Sequence, residues 1–363
     1  MSSFTSTSEG VRAAERLRPT VRVFELHGPG AIRVGHRALP PRGALLRVET
    51  TGVCGTDHHI WAGKIEIPLP QLLGHEVIGR IERLPDGHGL VAPDPLAVGD
   101  RVLVAPGVPC GDCAGCTSGD RCLDRPCYGL TMRGDGLTGG FAPYMALLPG
   151  SRVFRVPDGL AAERVVFAEP MACVLSALRK GFGPRYVPAG LNGLVLGFGV
   201  IGLCAAIAID AAGGTATVVE YDPTRRELAA ELGFETVASV EEAGELARER
   251  GGFPLVVDAA GTPAAFKSGL ALLGWGGTLI EIGNFADLGE IPVSPNDICL
   301  RDLRIVGSGE TFYDDFAPAI ALVGSTAIDL ARAITDVHRF DALGDPAELF
   351  TVRAAGKAMV TFS

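Results

Sequence analysis

Three residue types that bind transition metals occur close together in the N-terminal third of the chain. Cys54 follows Gly52-Val, and His75 and Glu76 follow Gly74 after an apolar stretch. Zinc accepts thiolate, imidazole and carboxylate ligands, and a catalytic zinc site leaves one of about four positions open. Adjacent residues on a strand face opposite ways, so His75 and Glu76 reach one metal only if the chain turns at Gly74. The pattern predicts a catalytic zinc site.

A second group of metal-binding residues is a run of cysteines: Cys110, Cys113, Cys116 and Cys122, with Cys127 shortly after. In a reducing compartment such clustering favours a metal over disulfides. Four thiolates in one segment predict a closed structural zinc site. Cys122 and Cys127 are alternative fourth ligands. Three further cysteines, Cys173, Cys204 and Cys299, have apolar or helical surroundings and are interpreted as core residues.

A glycine-rich turn predicts a dinucleotide site. Gly197, Gly199 and Gly202 form a Gly-x-Gly-x-x-Gly motif that follows a predicted strand and opens a predicted helix, with Val200 and Ile201 inside it. The first glycine makes the turn, the second admits the pyrophosphate, and the third lets helix and strand pack closely. The helix N-terminus offers N–H groups to the phosphates.

Glu220, at the end of the next predicted strand, indicates which dinucleotide binds. A carboxylate there accepts hydrogen bonds from the adenosine ribose and repels a 2′-phosphate, so NAD is favoured over NADP. Arg225 either contacts the cofactor, where with Arg226 it could receive a phosphate, or begins the next helix on its solvated face. Ile282 and Gly283 follow another strand end, where open α/β sheets bind ligands, and are further predicted cofactor contacts.

The elements that carry these residues predict an α/β protein with two domains. From Val21 to about Pro157, short apolar strands alternate with Gly/Pro turns, which is typical of a β-rich domain. From about Ala161, strands and helices alternate, which predicts a doubly wound parallel sheet. A final strand at 358–361 could return to the first domain. We expect one domain at 1–166 and 310–363 and the other at 167–309.

Composition narrows the possible partners. The chain has 363 residues, 47% of them hydrophobic, and its 32 basic and 42 acidic residues give a net charge of 32 − 42 = −10. We therefore expect no nucleic-acid partner and no anionic membrane surface. No run is apolar enough to span a membrane, and the first residues lack the pattern of a signal peptide. These features predict a cytoplasmic enzyme.

The chain resembles the zinc-dependent medium-chain alcohol dehydrogenases. The resemblance rests on Gly-x-Cys-Gly-Thr-Asp at 52–57, on Gly-His-Glu at 74–76, and on Glu169-Pro170, as in the polyol, threonine and sugar dehydrogenase branch. It implies a GroES-like catalytic domain and a Rossmann domain. It also implies that Cys54 and His75 bind the catalytic zinc, with carboxylate oxygen from Glu76 and Glu169, directly or through water. Pro170, in a helical stretch, is expected to break the helix and turn Glu169 into a cleft.

The same resemblance implies a mechanism and an assembly. Zinc lowers the pKa of an alcohol, the nicotinamide takes the hydride, and Thr56 accepts the hydroxyl proton, which leaves through the NAD ribose and His59. Asp57 orients His75, and Ile201 lies behind the nicotinamide ring. The family's usual offset to Tyr128-Gly129 favours Cys122 as the fourth structural ligand. A small alcohol or carbonyl substrate, secondary alcohol, polyol, sugar or amino alcohol, and a homodimer or homotetramer are also implied.

Two alternative functions are compatible with the dinucleotide motif alone. One is a zinc-free NAD(P)H reductase of the same superfamily that acts on quinones or enones. The other is a protein that binds a dinucleotide without catalysis. Both alternatives leave the cysteine, Gly-His-Glu and four-cysteine patterns without a role, so we favour the zinc dehydrogenase.

Overall fold

The computed structural model describes residues 19–118, 122, 125–132, 136–283, 286–309, 311–351 and 356–363. Within these ranges the strands are β1 (Thr20–Leu26), β2 (Ile32–Ala38), β3 (Ala44–Val53), β4 (Gln71–Leu72), β5 (Glu76–Arg83), β6 (Arg101–Val104), β7 (Tyr144–Leu147), β8 (Val153–Arg155), β9 (Gly193–Leu196), β10 (Ala216–Val219), β11 (Glu235–Val237), β12 (Phe253–Asp258), β13 (Leu273–Glu281), β14 (Arg304–Gly307), β15 (Ile334–Arg339) and β16 (Lys357–Thr361).

The α-helices of the described ranges are α1 (Gly55–Trp61), α2 (Ala114–Ser118), α3 (Ala162–Val165), α4 (Ala168–Phe182), α5 (Val200–Ala211), α6 (Pro223–Glu231), α7 (Val240–Arg250), α8 (Pro263–Leu272), α9 (Pro295–Leu300), α10 (Phe316–Ser325) and α11 (Glu348–Thr351). Short 3₁₀ turns occupy Gly183–Arg185, Tyr313–Asp315 and Leu330–Ala333. None of the described helices is long and apolar enough to cross a bilayer.

The larger β-sheet that contains the strands of the first half also includes β15 and β16 from the end of the chain. Its order is β15-β16-β3-β5-β6-β8, and β7 also pairs with β3. In the antiparallel register, Gly52 of β3 lies opposite both Glu76 of β5 and Met359 of β16. The end of β3 therefore meets the starts of β5 and β16, three segments that are far apart in sequence.

The second sheet is the predicted doubly wound one. Its six strands are all parallel, in the order β11-β10-β9-β12-β13-β14. The chain runs outward from β9 through β10 to β11, and then from β12 to β14 on the other side. The strand order thus reverses between β9 and β12, which is where such sheets bind ligands. The predicted α/β class, a β-rich domain plus a Rossmann-type domain, is confirmed.

The predicted final strand at 358–361 lies within β16, but one local feature differs from the prediction. Pro170 does not break a helix, because α4 begins at Ala168 and places Pro170 in its first turn, where no backbone N–H is required. The segment after Cys54, for which the sequence pattern predicts no element, is helical, as α1. The domain limits stay predictions.

Candidate active site and cofactor cleft

The structure brings Cys54, His75 and Glu76 together. Cys54 precedes the first residue of α1, Gly74 has a positive φ of 88°, and Glu76 begins β5. One ligand atom from each of the three residues lies within 4.8 Å of the other two. The turn at Gly74 allows His75 and Glu76 to face one point, as the sequence requires. The donor set of sulfur, nitrogen and oxygen fits zinc.

Asp57 holds two of these residues in place with one buried carboxylate. Its Oδ2 accepts a hydrogen bond from the Cys54 N–H at 2.9 Å, and its Oδ1 accepts one from the Gly74 N–H at 3.4 Å. Oδ1 also lies 3.4 Å from His75 Nδ1. A carboxylate facing one ring nitrogen fixes the imidazole and leaves the other nitrogen for a metal.

The charges around His75 alter its protonation. Burial lowers its pKa, but the charges of Asp57 and Cys54, with hydrogen bonds to both, outweigh burial and raise the pKa well above 6.5. A metal-ligating imidazole must be neutral. A metal bound to this imidazole would therefore have to displace its proton.

Lys357, the first residue of β16, forms an ion pair with Glu76 inside the protein. Its Nζ donates to Glu76 Oε2, and each residue is only 1% exposed. Burial lowers the pKa of Lys357, yet the charges of Glu76 and Cys54 raise it above its usual value of 10.5. Glu76 Oε1 is buried and has no hydrogen-bond donor among the described residues, so this oxygen is available to a cation.

Glu169 lies near Glu76 but is not part of the group formed by the ligand atoms of Cys54, His75 and Glu76. Its Oε1 accepts a hydrogen bond from the Cys173 thiol at 3.4 Å, and the thiol in turn lies 3.1 Å from Thr311 Oγ1. Burial and the charge of Glu76 raise the pKa of Glu169 to about 7, against the opposing charges of His75 and Lys357. Cys173 lines the cavity rather than the core, and Cys299 is exposed, which corrects the interpretation of both from sequence; Cys204 is buried, as predicted.

The four cysteines of the second group also converge. Ligand atoms of Cys110, Cys113, Cys116 and Cys122 all lie within 4.8 Å of one another. A backbone N–H donates to the sulfur of Cys122, and another to that of Cys113, both at 3.4 Å. Cys127 lies outside this group of four sulfur atoms. It lines a large cavity that is described below. The four-sulfur set fits a closed zinc site.

Residues 125–131 form part of the wall of a large cavity beside Cys54, His75 and Glu76. Tyr128 anchors this segment, since its buried hydroxyl group lies 2.7 Å from Ser151 Oγ and accepts the Leu148 N–H at 2.7 Å. Arg125 and Cys127 line the cavity from this segment. Cys122 of the four-cysteine group, which we call the cysteine lobe, lines the same cavity.

A single cavity of about 830 Å³ extends from the side chains of Cys54, His75 and Glu76 to the glycine turn. Thr56 and His59 line it near Cys54, and His58, for which no role was predicted, lines it too and packs edge-on against Phe350, with ring centroids 5.4 Å apart. Apolar side chains cover much of the wall at this end: Val53, Ile60, Ile65, Ile67 and Leu130.

The glycine turn at the other end of the cavity has the geometry that its sequence predicts. Gly197 has a φ of 87°, and a Cβ on Gly202 would lie 2.0 Å from the Gly197 carbonyl oxygen. A Cβ on Gly199 would meet no protein atom within 4 Å. Gly197 therefore makes the turn, Gly202 permits close packing, and Gly199 leaves open space at the N-terminus of α5.

Glu220 is 8% exposed, and both of its carboxylate oxygens are engaged. Oε2 accepts the Phe198 N–H at 2.7 Å, and Oε1 accepts the Asp222 N–H at 2.9 Å. The carboxylate thus ties the glycine turn to the start of α6. Further predicted cofactor contacts also line this cavity: Val200, Ile201, Arg225, Ile282 and Gly283.

Sequence reasoning missed the residues that complete the site from distant parts of the chain. Lys357 could have been suspected only from the predicted return of the last strand to the first domain. Tyr313 also lines the cavity, and its hydroxyl donates to the Gly107 carbonyl at 3.0 Å while Arg152 lies over its ring at 4.1 Å. No local signal distinguishes Tyr313 or Thr311 from other loop residues.

Comparison with known proteins identifies similar sequences along most of the chain. The profile of the Alcohol dehydrogenase GroES-like domain matches residues 40–158, and that of the Zinc-binding dehydrogenase family matches residues 200–333. D-altritol 5-dehydrogenase from Agrobacterium fabrum is 32% identical over 88% of this chain and 91% of its own length. 5-exo-Hydroxycamphor dehydrogenase from Pseudomonas putida is 34% identical over 74% of this chain and 77% of its own length.

Solved structures share the fold. A zinc-binding dehydrogenase from Sinorhizobium meliloti 1021 bound to NADP has a TM-score of 0.82 and 28% identity, over 95% of this chain and 100% of that one. An alcohol dehydrogenase from Thermotoga maritima has a TM-score of 0.85 and 23% identity, over 95% and 100%. Both agree with a GroES-like domain joined to a Rossmann domain.

Replacement of Lys357 by methionine tests the buried ion pair. It leaves the Glu76 carboxylate buried without its cation, so we expect the free energy of unfolding to fall by about 3 kcal/mol or more. Chemical denaturation measures the change. Lys267→Met, at an exposed position of α8, is the matched control and is expected to stay within about 0.5 kcal/mol of wild type.

The double variant Lys357→Met/Glu76→Gln separates the lost charge pair from a packing defect. Because both charges are removed, much of the lost stability is expected to return. A Lys357→Met protein as stable as wild type would show that the pair contributes nothing.

Proposed function

Because this chain belongs to the zinc-dependent medium-chain alcohol and polyol dehydrogenase family, we propose that it transfers a hydride between a secondary alcohol and NAD. The interconversion of an alcohol and its carbonyl product is the family's chemistry. The observation that carries the proposal is the single cavity that connects Cys54, His75 and Glu76 to the glycine turn. A zinc-free reductase or a non-catalytic binder would have no use for this cluster.

The catalytic zinc would be held by Cys54, His75 and Glu76, with Glu169 close by. Their buried donor atoms and the open Oε1 of Glu76 support this assignment. When bound, zinc supplies a Lewis acid that lowers the pKa of an alcohol hydroxyl and polarises a carbonyl. Asp57 keeps His75 oriented, and Lys357 keeps one oxygen of Glu76 turned to itself.

Protons leave through two side chains that line the cavity beside Cys54. Thr56 Oγ1 can accept the hydroxyl proton of the substrate and donate its own. His59, whose usual pKa is near neutrality, releases the proton to solvent. Both residues lie on α1, one turn apart, and line the cavity, which supports a shared path.

NAD is proposed over NADP because of the charge at Glu220. Two like unit charges about 4 Å apart at a protein surface repel by about 4 kcal/mol at an effective dielectric constant near 20. A 2′-phosphate next to this carboxylate would meet that repulsion. Arg225 lines the same end of the cavity and favours the opposite choice, as does the NADP in the Sinorhizobium meliloti relative. The buried position of Glu220 makes its charge the stronger influence.

The proposed substrate is a secondary alcohol carried by a polyol, a sugar or a related ring. The similarity to dehydrogenases of altritol and of hydroxycamphor supports this class. The cavity offers both apolar contacts, from Ile60 and Leu130, and polar ones, from His58 and Thr131. A second zinc, held by the cysteine lobe, is proposed to stabilise the adjoining part of the cavity wall.

A homodimer formed through β14 is also proposed. β14 is the outer strand of the parallel sheet, and an outer strand presents unpaired backbone groups. Large apolar side chains are exposed near it: Trp275 at 74%, Leu300 at 61% and Ile305 at 39%. A second copy that adds its own β14 would cover these side chains and extend the sheet.

Loss of Cys54 is expected to remove one of two zinc ions and abolish turnover. Catalysis of alcohol-dependent cofactor reduction by Cys54→Ala should fall about a thousandfold or more, since the metal supplies several kcal/mol of transition-state stabilisation. Dinucleotide binding should persist, because the two sites are separate. Metal analysis and rate assays with a panel of secondary alcohols, polyols and sugars measure both.

Two further cysteine variants complete this experiment. Cys113→Ser should lose the other zinc and lower the melting temperature, while Cys299→Ser, at an exposed position, should keep both ions and full activity. A wild-type protein with one zinc per chain would refute the two-zinc proposal.

Cofactor preference tests the role of Glu220. We expect wild type to have a higher kcat/KM with NAD than with NADP, and Glu220→Gln to reduce this ratio about tenfold or more, because about 1.4 kcal/mol of repulsion is lost for each factor of ten. Glu227→Gln on the exposed face of α6 makes the same change in net charge and should leave the ratio unaltered. An NADP preference abolished by Arg225→Ala would contradict the proposal.

The oligomer is tested by a charge placed at its proposed interface. Ile305→Lys should convert the dimer to a monomer, because the interface would have to bury an unpaired ammonium group. Val337→Lys, on the exposed outer strand β15 of the other sheet, is the control and should stay dimeric. Light scattering coupled to gel filtration gives the mass of each protein.

A further inference from the structure

Two acidic side chains lie side by side where the parallel sheet meets the cofactor cleft. Asp258 ends β12 and Glu281 ends β13, and the parallel register pairs these two residues. Register partners on adjacent strands project to the same face of a sheet. Asp258 is fully buried and Glu281 is partly buried. Neither has a role in the zinc site or in the proposed contact with the adenosine ribose.

Each carboxylate holds one of the loops that line the cleft. Asp258 Oδ1 accepts hydrogen bonds from the N–H groups of Ala260 at 3.0 Å and Gly261 at 3.3 Å. Glu281 Oε1 accepts one from Gly283 N–H at 3.0 Å. Residues of both loops line the cavity: Ala259, Ala260, Ile282 and Gly283.

The two loops are in close contact, with no room for a side chain at either Gly261 or Gly283. A Cβ on Gly261 would lie 2.3 Å from the carbonyl oxygen of Gly283, and a Cβ on Gly283 would lie 2.4 Å from the nitrogen of Gly261. Glu220 lies on the opposite side of the point where the strand order reverses, at the end of β10. If Glu220 faces the adenosine half of the dinucleotide, these loops face the nicotinamide half.

Burial and the neighbouring charge of Glu281 both oppose ionisation of Asp258. Burial, and then the charge and hydrogen bond of Glu281, raise the pKa of Asp258 from 3.8 to about 7. Asp258 Oδ2 is buried and finds no hydrogen-bond donor within the described part of the chain. A proton on this oxygen removes the repulsion and donates a hydrogen bond to Glu281.

Other charged groups on the surrounding elements do not replace this proton. Lys180 of α4 donates to Ser308 Oγ at 2.9 Å, and Lys267 of α8 is exposed. Asp287, which lines a shallow pocket with Glu281, is exposed and carries the same negative sign.

We propose that Asp258 and Glu281 share one proton, and that the protonated pair positions the two loops to bind the nicotinamide half of the dinucleotide. The proposal rests on the dinucleotide binding proposed above. Below neutrality the pair is protonated and the loops are held together. As the pH rises through about 7, a second negative charge appears, the loops separate, and the cofactor binds less tightly.

The pH dependence of NADH affinity tests this role. NADH is used because its nicotinamide ring is uncharged, so that the charge of the pair does not attract the ring directly. From about pH 6 to about pH 9, the Kd of wild type is expected to rise about tenfold, which corresponds to a shift of one pKa unit on binding. Fluorescence titration gives the Kd, and calorimetry in buffers of different ionisation enthalpy gives the protons taken up.

Asp258→Asn reproduces the protonated acid. Its amide still accepts from the loop and donates to Glu281, so the Kd should be independent of pH, and NADH binding should take up no proton through this pair. Glu281→Gln is the second variant, because its amide can donate to Asp258, and the same flattening is expected. Glu235→Gln, at a half-exposed carboxylate paired with Arg250, should keep the wild-type slope.

Stability tests the shared proton separately from cofactor binding, whereas the pH dependence of the Kd is the readout that a purely structural role would not move. Because folding raises the pKa of Asp258, its stabilising effect is complete below the unfolded-state pKa and is lost as pH rises through about 7. Asp258→Asn should therefore melt at a higher temperature than wild type in alkaline buffer. Equal slopes of Kd in wild type and both variants would overturn the proposal. Absence of NADH and NADPH binding to wild type would instead refute the proposed function.

Discussion

The buried ion pair between Lys357 and Glu76 is the interaction on which the catalytic domain depends. It lies where the end of β3 and the starts of β5 and β16 meet, and it joins residues 281 positions apart. A Cβ on Gly52 would lie 1.7 Å from Glu76 Oε2, so only glycine fits at this position of β3, beside the pair. β3 ends one residue later, at Val53, and Cys54 follows it directly. The pair therefore fixes the sheet and the metal ligands together, and an uncompensated charge at either position is costly in a dry interior.

Features encoded in short segments were predictable from the sequence. The glycine turn can be recognised in the sequence because strand, turn and helix are adjacent in the chain. Only glycine adopts the positive φ of Gly197 readily, and only glycine lacks the Cβ that would clash at Gly202. The cysteine lobe is similar, since Cys110 to Cys122 are drawn from one segment. In both cases the chemistry and its geometry come from neighbouring residues, so that spacing alone indicates the structure.

Features that depend on distant pairing were not predictable in this way. Lys357 is a lone lysine at the start of an apolar strand, and only the register of β16 against β3 reveals its partner. Thr311 reaches Glu169 through Cys173, from a segment whose pattern indicated little. Pro170 misled for a local reason, because proline has opposite effects in the first turn of a helix and in its interior, and sequence did not fix where α4 begins. The acidic residues at 258 and 281 were overlooked because neither belongs to a motif.

Residues 125–128 have one more consequence. The buried hydroxyl group of Tyr128 anchors this segment, while Arg125 and Cys127 line the cavity. Arg125 and Cys127 belong neither to the two groups of metal-binding residues nor to the glycine turn, so that either can be exchanged without replacing a residue of those sites. The lining of the cavity can therefore diverge among descendants of this chain while the metal-binding residues and the glycine turn are inherited unchanged.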